Sequence, residues 1–176
     1  MNFNELVKHR QSCRNYSNIP VEKEKLVAMV QAGILSPSAC NSQPWHFVIV
    51  NDEEKVAKMP SLLQQGGINK FTDNVRAYIV VCETKAKLFA RATCDSQHYA
   101  QMDIGLTVSH LVFSAVEQGL ATCIVGSFPE DQLKELLSIP NEAKIRLVVA
   151  VGYAQEDKIR EKSRKEFDDV CSFNQW

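Results

Sequence analysis

Three short stretches carry side chains able to do chemistry. Near the start, Arg10-Gln-Ser-Cys-Arg14 puts two guanidiniums and a hydroxyl within five residues. A guanidinium fork grips phosphate oxygens in pairs, and a serine adds another donor. Taken alone, the same residues also suit a solvated surface, where arginine is common. Near the end, Lys162-Ser-Arg164 places two more cations in a charged tail. If the termini converge, the two groups make one site for a phosphate dianion. Between them runs Ser36-Pro-Ser-Ala-Cys-Asn-Ser-Gln-Pro-Trp-His-Phe47. Pro37 and Pro44 fix φ and push the residues before them toward extended backbone. The stretch therefore reads as a stiff loop displaying two amides, Asn41 and Gln43. Each amide both donates and accepts, which suits a ligand edge of alternating donors and acceptors. A rigid helix-to-strand connector would look the same.

Other chemistries lack their signatures. The chain has no Gly-x-Gly-x-x-Gly and no phosphate-binding Gly-x-x-x-x-Gly-Lys-Ser/Thr. It has neither Gly-x-Ser-x-Gly nor His-Glu-x-x-His. Cys94 and His98 have helical spacing, but a metal would need further ligands, so no metal site is expected. The six cysteines are spread without a Cys-x-x-Cys pair and read as reduced thiols.

The elements that must position these residues follow from apolar periodicity. A chain of 176 residues with 45% hydrophobic content predicts one domain, 1–176, with a sizeable core. A net charge of −1 argues against nucleic acid as partner. No apolar run approaches the roughly 18 residues of a membrane span, and no secretory signal is visible, so a cytoplasmic location is expected. A short first helix over 4–11 is expected, with Asn4 as candidate cap. A second, about 22–35, carries Leu26, Val27, Val30 and Ile34 as its apolar side. Strands are predicted at His46–Val50, Ala77–Cys82, Ala121–Val125 and Ile145–Val151, the first read as buried and the last as central. Asp52 caps a short helix. The longest helix, about 97–118, has the stripe Ile104, Val108, Leu111, Val112 and Ala115, with Met102, Leu106, Phe113 and Val116 on other sides. Gly119 suits its end. Ser127 to Glu130 has capping-box spacing and opens a helix to about Leu137. Gly66-Gly67 marks a turn, and 84–96 reads as partly helical, partly loop. The tail from about 155 is polar but ends in Val170, Phe173 and Trp176, which need a surface to cover. The pattern is an α+β or α/β layer arrangement.

Taken in order, these stretches resemble the FMN-dependent nitroreductase family. The matching residues are Arg10-x-Ser-x-Arg14, Ser36-Pro-Ser-Ala-x-Asn-Ser-Gln-Pro-Trp45, Asp103-Ile-Gly, Gly119 to Gly126, Gly152-Tyr, and Lys162-Ser-Arg164 with the acidic pair and Val170 after it. The resemblance implies an α+β fold, a nitroreductase-like α/β/α sandwich around a mixed, mostly antiparallel sheet. It implies a homodimer whose C-terminal arm, about 155–176, is swapped onto the partner. FMN would lie between the two chains. Arg10, Gln11, Ser12 and Arg14 would contact it, with Lys162 and Arg164 as the second phosphate pair. Pro37, Ser38, Ala39, Asn41 and Gln43 would lie against the flavin of the other subunit. Ile124, Val125 and Gly126 would pass the ring. Asn69 and Lys70 become candidates on a shifted register, because some members make Asn/Lys contacts in that region.

The activity implied is an FMN flavoprotein oxidoreductase. NADH or NADPH would reduce the flavin, leave, and be replaced by a small-molecule acceptor such as a nitroaromatic or quinone, in ping-pong order. No protein residue is assigned a catalytic role. Two alternatives stay open: other flavin chemistry on the same scaffold (reductive dehalogenation or flavin fragmentation), and a flavin-binding protein without turnover.

Overall fold

A computed structural model of the chain describes residues 1–87 and 95–176. Cys94, one half of the Cys94–His98 pair, lies outside the described residues, as does most of 84–96.

Four strands form one antiparallel sheet in the order β1-β2-β4-β3, with β1 at Trp45–Val50, β2 at Ala77–Glu83, β3 at Ala121–Val125 and β4 at Lys144–Gly152. A single parallel bridge, Ser12 to Thr122, adds the N-terminal segment beyond β3. That bridge is the only parallel contact in a sheet that is otherwise antiparallel among the described residues.

The two central strands are apolar almost throughout because both of their faces are covered. Along β2, Ala77, Ile79 and Val81 face one side, while Tyr78, Val80 and Cys82 face the other. On the first side pack α2 (Lys23–Ile34) and α4 (Ser96–Glu117). On the second pack α3 (Glu53–Leu63) and α5 (Glu130–Leu137), through Met59, Leu63, Leu133 and Leu137. Three layers result. Ile104, Val108, Leu111, Val112 and Ala115 of α4 are all buried, as their spacing predicts. Each such Val, Leu or Ile contributes about 1.5–3 kcal/mol by leaving water.

Several local expectations are corrected. Asn2, not Asn4, caps α1 (Phe3–His9), because Glu5 sits three residues on and completes a capping box. On α2 the buried face is Leu26, Met29 and Gly33, and Val27 and Ile34 are exposed. β1 is an edge strand, not a buried one: it has one neighbour, and only Val50 is fully buried. No capping box forms at Ser127. Pro129 occupies the cap of α5, and the Glu130 carboxylate instead accepts the Ile145 N–H at 2.9 Å and pairs with Lys134. Asp52 does cap α3, accepting the Lys55 N–H. Gly66, Gly67 and Gly119 all take positive φ, as turn and cap positions require.

Beyond β4 the chain has no further strand among the described residues. It runs past the N-terminal segment and carries Phe167, Val170, Phe173 and Trp176 exposed. Exposed Phe3, Val7, Met102 and Leu106 on α1 and α4 add to the uncovered apolar surface.

Candidate functional site

The two ends of the chain meet. Gln11 ties them together: its amide donates to the Lys158 carbonyl at 2.7 Å, and its oxygen accepts the Arg160 backbone N–H at 3.1 Å and Nε at 3.3 Å. Arg160 also donates to the Ser12 carbonyl. Lys162 Nζ donates to the Val7 and Lys8 carbonyls at 2.6 and 2.7 Å, capping the last turn of α1. The N-terminal segment is fixed from beneath. Cys13 N–H bonds the Thr122 carbonyl at 2.8 Å, and the Tyr16 ring is buried over β4. Gly152 is required there, since a Cβ would lie 2.8 Å from that ring.

Between the two ends opens a hollow of about 340 Å³ lined by Arg10, Gln11, Ser12, Arg14 and residues 160–164. It gathers five cations, Arg10, Arg14, Arg160, Lys162 and Arg164, against one carboxylate, Glu161. Among the described residues no carboxylate forms an ion pair with any of them. Burial and the like charges of Arg10 and Arg164 hold the Lys162 ammonium below the ordinary lysine range. Five cations against one carboxylate leave an excess of positive charge that suits an anion from outside. Their number and the flanking Ser12 fit a phosphate group such as that of FMN.

The thiols nearby do not compete for a chemical role. Burial pushes the Cys13 and Cys123 thiols up, and it pushes Cys82 up to about 11, so all three stay protonated near neutral pH. Cys13, Cys40, Cys82, Cys123 and Cys171 form no disulfide among the described residues. No cluster of metal-ligating side chains occurs among the described residues.

The loop after α2 is constrained by more than its prolines. Cys40, Asn41 and Gln43 take φ of 54°, 51° and 49°, although none is glycine. Left-handed backbone costs a non-glycine residue on the order of 1–3 kcal/mol, so the surroundings must impose it. Ser38 Oγ accepts the Gln43 N–H at 2.9 Å, and Ser42 Oγ accepts the Lys87 N–H at 2.7 Å. Ala39 N–H is held by Asp103 of α4. The amides of Asn41 and Gln43 bond each other at 3.2 Å, yet both side chains remain exposed.

The structure places Ile124, Val125 and Gly126 at the end of edge strand β3, with Ile124 and Gly126 exposed and Val125 buried. Asn69 lies close by. Its amide donates to the Leu63 and Ser127 carbonyls, fastening the 65–70 turn beside that strand end, while Lys70 is exposed. Within one chain, the hollow among the cations is built from residues 10–12, 14 and 160–164, and Pro37, Ser38, Ala39, Asn41 and Gln43 do not line it.

Two contributors escape sequence reasoning. Arg160 is one of many charges in the tail, and only its bonds to Gln11 and Ser12, across 148–149 residues, distinguish it. Asp103 sits in a stretch that matches the family, but its hold on Ala39 spans 64 residues and leaves no local mark.

Comparison with known proteins agrees with this fold. The Nitroreductase family model matches residues 7–153. A protein of Archaeoglobus fulgidus, provisionally named an NADH dehydrogenase/NAD(P)H nitroreductase, is 31% identical over 156 residues, covering 85% of this chain and 83% of that protein. A nitroreductase family protein of Clostridium difficile 630 superposes with a TM-score of 0.84 at 28% identity, over 100% of both chains. The NADPH:FMN oxidoreductase of Vibrio harveyi, solved with NAD+, shares the fold at a TM-score of 0.81 and 20% identity, over 98% of this chain and 77% of that one. With its three-layer sandwich and a family match over most of its length, the chain belongs to the nitroreductase family.

Proposed function

We propose that this protein is a homodimeric FMN flavoprotein that passes electrons from NADH or NADPH to a small electron-poor acceptor, such as a nitroaromatic or quinone. The observation that carries the reading is the cluster of five cations around Ser12, where the chain ends meet, none of them in an ion pair among the described residues. The named relative and the Vibrio harveyi neighbour support both the reductant and the flavin.

Bound FMN supplies the redox chemistry and relays electrons from nicotinamide to acceptor. The residues of this chain bind and orient it. Arg10, Arg14, Lys162 and Arg164 hold the phosphate; Ser12 and Gln11 line the path from phosphate to ring. Ile124, Val125 and Gly126 pass the ring at the sheet edge, with Ile124 and Gly126 exposed on either side of the buried Val125. Pro37, Ser38, Ala39, Asn41 and Gln43 offer the partner subunit's flavin a stiff amide-bearing wall. The exposed apolar residues of α1, α4 and the tail are the surface the dimer covers, with the arm reaching over the partner. No dinucleotide-binding fingerprint is present, so one face of the ring serves donor and acceptor in turn, which gives ping-pong kinetics.

Purified protein is expected to be yellow, to elute as a dimer and to bleach under anaerobic conditions on addition of NADH or NADPH. A colourless monomer that oxidises neither nucleotide overturns the proposal. An acceptor screen that includes halogenated aromatics separates nitroreduction from reductive dehalogenation.

A further inference from the structure

The strained loop is held from α4 by two side chains one turn apart. Asp103 is 5% exposed and accepts the Ala39 N–H with both carboxylate oxygens at 3.2 Å. Four residues on, the buried Thr107 hydroxyl donates to the Gly33 carbonyl at 2.7 Å. Together they fix the chain where it leaves α2 and where the left-handed turn begins. Gly33 allows the approach, for a Cβ would lie 3.1 Å from Thr107 Oγ1 and 3.2 Å from Leu111. The other bonds of the loop behave differently. Ser38 to Gln43 and Gln43 to Asn41 are internal to it, and Ser42 reaches only the exposed backbone at Lys87. Asp103 is thus its charged anchor to the helical layer.

Among the described residues Asp103 has no cationic partner, and Ala39 is its bonded neighbour. A buried carboxylate without a counter-ion is costly, and stability alone would favour an apolar residue at that place. The geometry points to a different use. We propose that Asp103 is a positioning residue: through the Ala39 N–H, its carboxylate sets Ser38 to Gln43 against the ring of bound flavin. This rests on the reading of the protein as an FMN flavoprotein.

The test titrates the full-length apoprotein with FMN and with riboflavin, following flavin fluorescence and the visible spectrum of the bound form. Asp103→Ala is expected to weaken both flavins by about tenfold or more, the size of a lost charged hydrogen bond. The band of its bound flavin should shift, because the contact lies on the ring side. Asp103→Asn keeps one acceptor oxygen and is expected to return the parent spectrum and most of the affinity. Ala39→Pro removes the donor while Ser38 is already extended, so it should reproduce Asp103→Ala, and it decides the matter if that variant fails to fold. Parent-like binding and spectrum in Asp103→Ala or Ala39→Pro overturn the inference, as does a failure of Asp103→Asn to recover either property. In those cases a parent protein that still binds FMN leaves the proposed function standing. A parent that binds no flavin overturns both.

Discussion

In the proposed flavin site the cation cluster and the proline-bracketed loop play opposite parts. The cluster is largely exposed and rich in charge. It is assembled by bonds between the chain ends, Gln11 to Lys158 and Arg160, and Lys162 to the end of α1. The loop is poor in charge, strained in its backbone and locked to a buried carboxylate. The first arrangement supplies affinity for an anion and is sensitive to salt. The second supplies orientation, and salt should barely touch it. Division of a site into a gripping part and a positioning part is the lesson of the difference.

That division can be broken from the gripping side first. Arg14→Ala is expected to weaken FMN by about 1.5–3 kcal/mol through loss of a charged hydrogen bond. Riboflavin affinity should be nearly unchanged, since riboflavin lacks the phosphate. The penalty should shrink at 1 M salt, where screening shortens the reach of charge to about 3 Å. Equal losses for both flavins would dissolve the distinction between the two regions.

The next test strikes the seat of the cluster. Gly152→Ala drives a Cβ into the Tyr16 ring and should destabilise the fold by about 1–3 kcal/mol, the usual range for overpacking. Thermal unfolding then falls by several degrees, with an added loss of FMN affinity because Tyr16 leads back to Arg14. Unchanged unfolding would mean that Tyr16 moves aside freely.

Gln11→Ala removes two bonds to the tail backbone and a long one from the Arg160 guanidinium, and should cost FMN binding about 1 kcal/mol by loosening Arg160. Isothermal titration reads the difference against Arg14→Ala. The smallest effect is expected in the loop. Cys40→Gly relieves left-handed strain at an exposed position and should stabilise the protein by less than about 1 kcal/mol in denaturant unfolding. A marked loss of stability there would show that the Cys40 side chain itself supports the loop.

The fold was readable where a pattern is driven by burial. The α4 stripe and the apolar runs of β2 and β4 needed only to leave water, and each forms where its residues predict. Readings failed where a distant partner outcompetes a local one. Glu130 could complete a box with Ser127, but the Ile145 N–H fifteen residues away takes its carboxylate. β1 looked buried because its residues are apolar, yet a strand with one neighbour keeps an open side, and strand order is not written in any single run. The candidate site followed the same rule. Arg10, Arg14, Lys162 and Arg164 announce themselves by charge and spacing. Arg160 and Asp103 act through contacts across long stretches of sequence and look ordinary beside their neighbours.

The most direct test of the account compares FMN with riboflavin binding to the apoprotein at low and at high salt. The account predicts that FMN binds at least about tenfold tighter at low salt, as expected for a charged phosphate contact. It predicts that the gap narrows as salt rises while riboflavin binding stays level. Equal affinity for the two flavins at low salt, or no binding of either, would contradict it.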